Sequence, residues 1–182
     1  MQSYHELVRD ILRDSLSAFL EFDSVFSPLE TDNSSVLFSV VSNIVINSPC
    51  LAASLHVHYD EETVRELLKA KYGTGAFSLH DCIDAVNEIC NLTAGKIRAT
   101  LGGHLPGVAT MSLPFVTRAF DELLNAGHPD DQSLRWHIDT LTGKIAAHSR
   151  FRVRNIAQGD FDTAVKAASD DYGKAGSVIE ML

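Results

Sequence analysis

The sequence is short of positive charge, of long apolar runs and of paired cysteines, and each shortage removes a class of function. Lys and Arg total 15 against 24 Asp and Glu, a formal net charge of −9 over 182 residues. Binding to nucleic acid or to an anionic membrane depends on Lys and Arg neutralising phosphates, so neither is expected as a partner. The longest apolar stretch, Val36 to Ile46, is broken by Ser39, Ser42 and Asn43 and is too short to span a bilayer. Met1 to Asp10 carries Glu6, Arg9 and Asp10, which does not suit a secretory signal. Cys50, Cys82 and Cys90 form no CxxC pair and no ligand-spaced cluster. They read as buried, reduced thiols of a cytoplasmic protein with no metal of its own.

What is present is ordinary for a packed domain: 45% hydrophobic and 21% charged residues. A chain of this length can bury a core without disulfides or a structural metal. Apolar residues at Leu7, Val8, Ile11, Leu12, Leu16, Phe19 and Leu20 mark a helix over 4–22. Ser24 to Asn33 reads as a loop. Ser35 to Ile46 and Leu51 to Tyr59 read as strands joined through Asn47-Ser48-Pro49. Asp60 is a good N-cap for a helix ending at Gly73, and Ser78 with Asp81 opens a longer helix running to Gly102-Gly103. Gly107–Thr117 is expected as one strand and Phe120–Gly127 as a short helix or turn. Leu134–Thr140 and Lys144–Arg154 are strands around a turn. A weak helix near Phe161–Ala168 is expected to precede a loose tail. This order predicts an α+β fold with mainly antiparallel pairing and long helices packed on the sheet.

The chemistry concentrates in the long helix. Asp84, Glu88 and Asn91 stand at i, i+4 and i+7 and so share one helix face. Ile83, Val86, Ile89, Cys90, Leu92 and Ile97 cover other directions, so a core-docked helix presents the polar trio outward. Pro114 follows Asn91 after 22 residues, within MSLPFV. Polar residues at helical spacing are usually a solvated face. Four fixed types at these separations would coincide in a chain of this length roughly once in several hundred sequences, which favours a motif.

Asp/Ser-x3-Glu-x2-Asn-x22-Pro resembles the signature of the CheC/CheX/FliY family of bacterial chemotaxis phosphatases, and Asp84, Glu88, Asn91 and Pro114 fill its places. NLTAG after Asn91, SLPF around Pro114 and LHVHYDEETVRELLKAKYG agree with it, over roughly residues 4–154. The resemblance implies a duplicated CheC-like fold over 1–157, followed by a C-terminal tail, 158–182. It implies hydrolysis of the aspartyl-phosphate of a CheY-type response regulator. Glu88 would dock on the regulator's lysine, Asn91 would orient the attacking water, and Asp84 would contact the partner or tune Glu88. Pro114 is structural, since proline on a strand is confined to edges or bulges. Mg²⁺ would be supplied by the bound regulator. A homodimer is implied by resemblance to CheX. The alternative is a non-catalytic regulator-binding or flagellar-switch-related module.

Ser17-x3-Glu21-x2-Ser24 in the first helix resembles a decayed copy of the motif, with Ser where the amide would be, which points to the CheX-like branch. His56 and His58 share a strand face but have no third ligand at suitable spacing. His104, His137 and His148 find no role in the sequence. Arg150, Arg152 and Arg154 form a basic stripe best read as a solvated sheet face. Ser112, Ser149 and Thr142 have no visible Ser–His–Asp partnership.

Overall fold

The computed structural model describes residues 3–20, 25–28, 39–118 and 129–179. Two runs of the same order, helix, strand, strand, strand, helix, follow one another along the chain. The first comprises α1 (Tyr4–Leu20), β1 (Val25–Pro28), β2 (Val40–Asn47), β3 (Leu51–Tyr59) and α2 (Glu61–Tyr72). The second comprises α3 (Leu79–Gly102), an interrupted strand made of β4 (Thr110–Met111) and β5 (Phe115–Arg118), β6 (Gln132–Asp139), β7 (Lys144–Val153) and α4 (Gln158–Ile179).

All pairings are antiparallel, in the order β1-β6-β7-β3-β2, with β4 and β5 both on the far side of β2. The halves exchange their outer strands: β1 pairs with β6 of the second half, and β4/β5 pair with β2 of the first. The duplicated α+β architecture expected from the sequence is what is found. Alternation explains the sheet's two faces. Leu51, Ala53, Leu55, Val57 and Tyr59 of β3 are buried with the helices, while Ala52, Ser54, His56 and His58 face the other way and are half-buried. None of the described helices is long and apolar enough to cross a membrane.

Four local expectations change. The segment taken as a loop over Ser24–Asn33 contains β1. Its four residues carry no alternation to read; the strand exists because β6 supplies a ladder from Val25↔Asp139 to Pro28↔Trp136. Gly107–Thr117 is two short strands, since Ser112-Leu113-Pro114 break the ladder. The region after Ala168 is helical to Ile179 instead of loose, and the helix begins at Gln158. Its Gly, Ser and Asp residues are poor helix formers, but Phe161, Val165 and Ala168 enter the core, and tertiary burial outweighs propensity. Asp60 holds the N-cap position of α2 without capping it by its side chain; its Oδ1 accepts from the Ser39 N–H instead, 3.0 Å away. The expected element at Phe120–Gly127 lies outside the described residues.

Candidate functional site

The site is mounted on α3, and local chemistry accounts for that helix. Ser78 Oγ accepts from the Asp81 N–H and the Asp81 carboxylate accepts from the Ser78 N–H, a closed capping box. The Ser78 hydroxyl and the Ser78 N–H, both donating to the Asp81 carboxylate, hold it below the usual carboxylate range. Cys82, Ala85, Val86, Ile89, Cys90, Thr93, Ala94, Ile97 and Leu101 recur every three or four residues and are all buried. They seat α3 against α1 and β2, with α2 and α4 also in contact. Thr93, the polar member of the buried row, donates its hydroxyl to the Ile89 carbonyl at 2.7 Å. Burial pushes the Cys90 thiol up to about 12, so at neutral pH it is an inert core residue and not a nucleophile.

A helix buried along one side fixes what the other side shows. Asp84 and Glu88 are exposed and Asn91 is half-buried on the outward side of α3. On helical geometry the three directions fall within about 60° of one another, and Asp84 and Asn91 lie about 10 Å apart along the axis. Asp84 Oδ2 stands 3.4 Å from His80 Nε2, one turn earlier, and both are exposed. Among the described residues, the Glu88 and Asn91 side chains are engaged in no hydrogen bond or ion pair. Ordinary surface carboxylates on helices find Lys or Arg partners at i±4, as Glu61 does with Arg65 on α2. Glu88 has no cation in those positions, with Asp84 and Leu92 there instead. The carboxylate and the amide are therefore available to an outside ligand, on a rigid support.

Pro114 stands on the sheet edge and not in the helix row. Ser112 closes the ladder on its own: its N–H donates to the Val45 carbonyl at 2.9 Å and its hydroxyl accepts from the Val45 N–H at 3.1 Å. Pro114, with no N–H to give, sits between the two halves of the broken edge strand, as an edge proline should. Leu113 beside it is 83% exposed, so this edge is uncovered. Of the suspected decayed copy, Ser17 is half-buried on α1, and Glu21 and Ser24 lie outside the described residues.

The histidines of β3 and β7 behave as sheet residues, and His104, in the turn after α3, stands 3.2 Å from Asp171. His56 Nε2 lies 2.8 Å from Ser54 Oγ, and the His56 and His148 rings stand 5.4 Å apart across the β3–β7 ladder. Among the described residues no three His, Cys, Asp or Glu side chains gather into a metal cradle. Arg150 and Arg152 lie half-buried on the sheet face away from the helices, and Arg152 Nε stands 3.8 Å from Asp131. No motif or spacing in the chain singles out His5. It packs edge-on to Phe151 at 4.9 Å and to Trp136 at 6.2 Å, and burial with the nearby His148 lowers its pKa to about 4. Only the tertiary fold brings those rings together, so no spacing in the chain could have revealed it.

Comparison with known proteins agrees with the fold. No family model matches the chain, and no curated protein does. Solved structures do. A CheC-like superfamily protein from Shewanella sp. PV-4 superposes with a TM-score of 0.67 at 18% identity, covering 84% of this chain and 99% of that one. The chemotaxis protein CheX from Vibrio vulnificus gives 0.63 at 16% identity, covering 80% and 97%. CheX from Borrelia burgdorferi, solved as a CheX-CheY-BeF3-Mg²⁺ complex, gives 0.64 at 15% identity, covering 84% and 99%. At these identities the shared property is the CheC-like fold, the one the motif implied.

Proposed function

We propose that this CheC-like chain dephosphorylates a CheY-type response regulator. The carrying observation is the outward row Asp84, Glu88 and Asn91, in which Glu88 and Asn91 have no side-chain partner among the described residues, on a capped and core-seated helix of a CheX-like fold. In the reaction, water attacks phosphorus in line with the aspartyl oxygen. The P–O bond to the regulator's aspartate breaks, leaving its carboxylate and inorganic phosphate. Such a transfer needs positioning and charge stabilisation more than covalent help.

Each residue has a task suited to its chemistry. The Asn91 amide both donates and accepts, so it holds a water with one lone pair directed at phosphorus. A carboxylate at that place would repel the anionic phosphoryl group. The Glu88 carboxylate pairs with the regulator's lysine ammonium and fixes the register of docking. Asp84, one turn earlier, extends the acidic contact. Mg²⁺ held by the regulator would neutralise phosphoryl charge there. That a CheX protein has been captured on CheY with beryllofluoride and Mg²⁺ supports this pairing of partners.

The test is phosphate release from a phosphorylated regulator with Mg²⁺ present. The wild type should accelerate it. Asn91→Ala should lose about a hundredfold of that acceleration, the scale of misplaced attack geometry, while still binding the regulator. Equal rates for the two proteins would remove Asn91 from the mechanism. A regulator that is bound yet keeps its phosphate at the spontaneous rate would make the chain a binding module.

A further inference from the structure

Gly95 lies one turn beyond Asn91 on the same outward row. Glycine is the poorest helix-interior residue after proline, so one in the middle of a 24-residue helix needs a reason. The usual reasons are absent. Its φ is not positive, the helix runs on to Gly102, and a Cβ built at 95 meets, among the described residues, no atom within 4 Å beyond its chain neighbours and its own helix backbone. Gly107 shows the contrast: its φ is +86° and a Cβ there would stand 2.7 Å from the Pro49 ring. Nothing inside the described molecule requires glycine at 95.

We infer that Gly95 is a clearance position, kept bare so that the main chain of the docked regulator can come down onto α3 beside Asn91. This rests on the phosphatase reading above. The physical ground is reach. An asparagine side chain is short, so an amide that holds water against phosphorus requires the phosphorylated surface to approach within a few ångströms of the helix. Glu88, on the other side of Asn91, is longer and reaches outward to a lysine. A side chain at 95 of any length would hold the two surfaces apart. Ala99 and Gly102 continue small beyond Gly95, with the exposed Arg98 at the flank of the row. Gly95 is therefore a positioning residue: it acts on the distance between the Asn91 amide and the phosphoryl group.

Three variants test this against the wild type, with two readouts. Gly95→Ala and Gly95→Gln place better helix formers at 95, and Gly173→Ala does the same at an exposed position of α4 where a Cβ also meets nothing within 4 Å. Both alanine variants should melt higher, by about 2–4 °C. Gly173→Ala should keep wild-type activity. Gly95→Gln should lose at least about tenfold in kcat/KM for phosphate release, with weakened binding to the beryllofluoride-loaded regulator, and Gly95→Ala should fall between. Unimpaired activity of Gly95→Gln beside an active wild type overturns the clearance role and leaves the phosphatase reading standing. So does a lowered melting temperature in Gly95→Ala, which would show an internal need for glycine. A wild type that neither binds nor dephosphorylates the regulator removes both.

Discussion

Replacing His5 by Phe should flatten the acid limb of the stability curve. The ring lies half-buried between Trp136 and Phe151, its Nδ1 enclosed without a hydrogen-bond partner among the described residues, and desolvation together with His148 lowers its pKa to about 4. In the unfolded chain the same ring titrates near 6.5. Between those values the unfolded state binds the proton and the folded state does not, so stability rises with pH there. It is complete above about 6.5 and is lost progressively as pH falls toward 4. With these two pKa values the loss between pH 7.5 and pH 5 is about 2 kcal/mol, and about 1.5 kcal/mol if solvent at the partly exposed ring halves the shift. Urea unfolding at both pH values measures it directly, for wild type and for His5→Phe, whose ring suits the aromatic surroundings. Groups common to the two proteins cancel in the difference, which should favour the variant by about 1.5–2 kcal/mol at pH 5 relative to pH 7.5. An equal pH-dependent loss in both proteins would refute the account, as would a His5 ring titrating near its ordinary value by NMR.

Two further outcomes are expected. Glu88→Ala should raise KM and reduce the rate, with a binding loss of about 2 kcal/mol or more and a shallower salt dependence, since one ion pair to the regulator is removed; unchanged affinity across salt concentrations would take Glu88 out of the contact. Phe161→Ala should cost about 3–5 kcal/mol, because the ring is 1% exposed and stacks on Phe151 at 5.6 Å and 22°; a near-wild-type melting temperature would mean that α4 is not part of the cooperative core.

Those experiments fall on both sides of a line between local and non-local determination. The α3 helix could be read from the chain. Its cap is a contact between residues three apart, its buried row repeats with the helix turn, and the direction of Asp84, Glu88 and Asn91 follows from that repeat. The strand β3 was legible for the same reason at period two. With no alternation to mark it, β1 was not, and the broken edge was not, because Ser112 and Pro114 interrupt a strand only relative to β2. Nor was the full length of α4, whose small residues gain their helix from docking Phe161 and tying Tyr172 to Asp14.

By itself, then, the sequence determined the helix that carries the site and the side that the three polar residues occupy, since both depend on contacts within a few residues. The tertiary structure alone decided three things. It crossed the outer strands between the two halves, because pairing partners lie far apart in the chain. It enclosed His5 among rings from β6 and β7. It also left the space over Gly95 empty, since whether a missing side chain has a neighbour to make room for is known only when every other atom is in place.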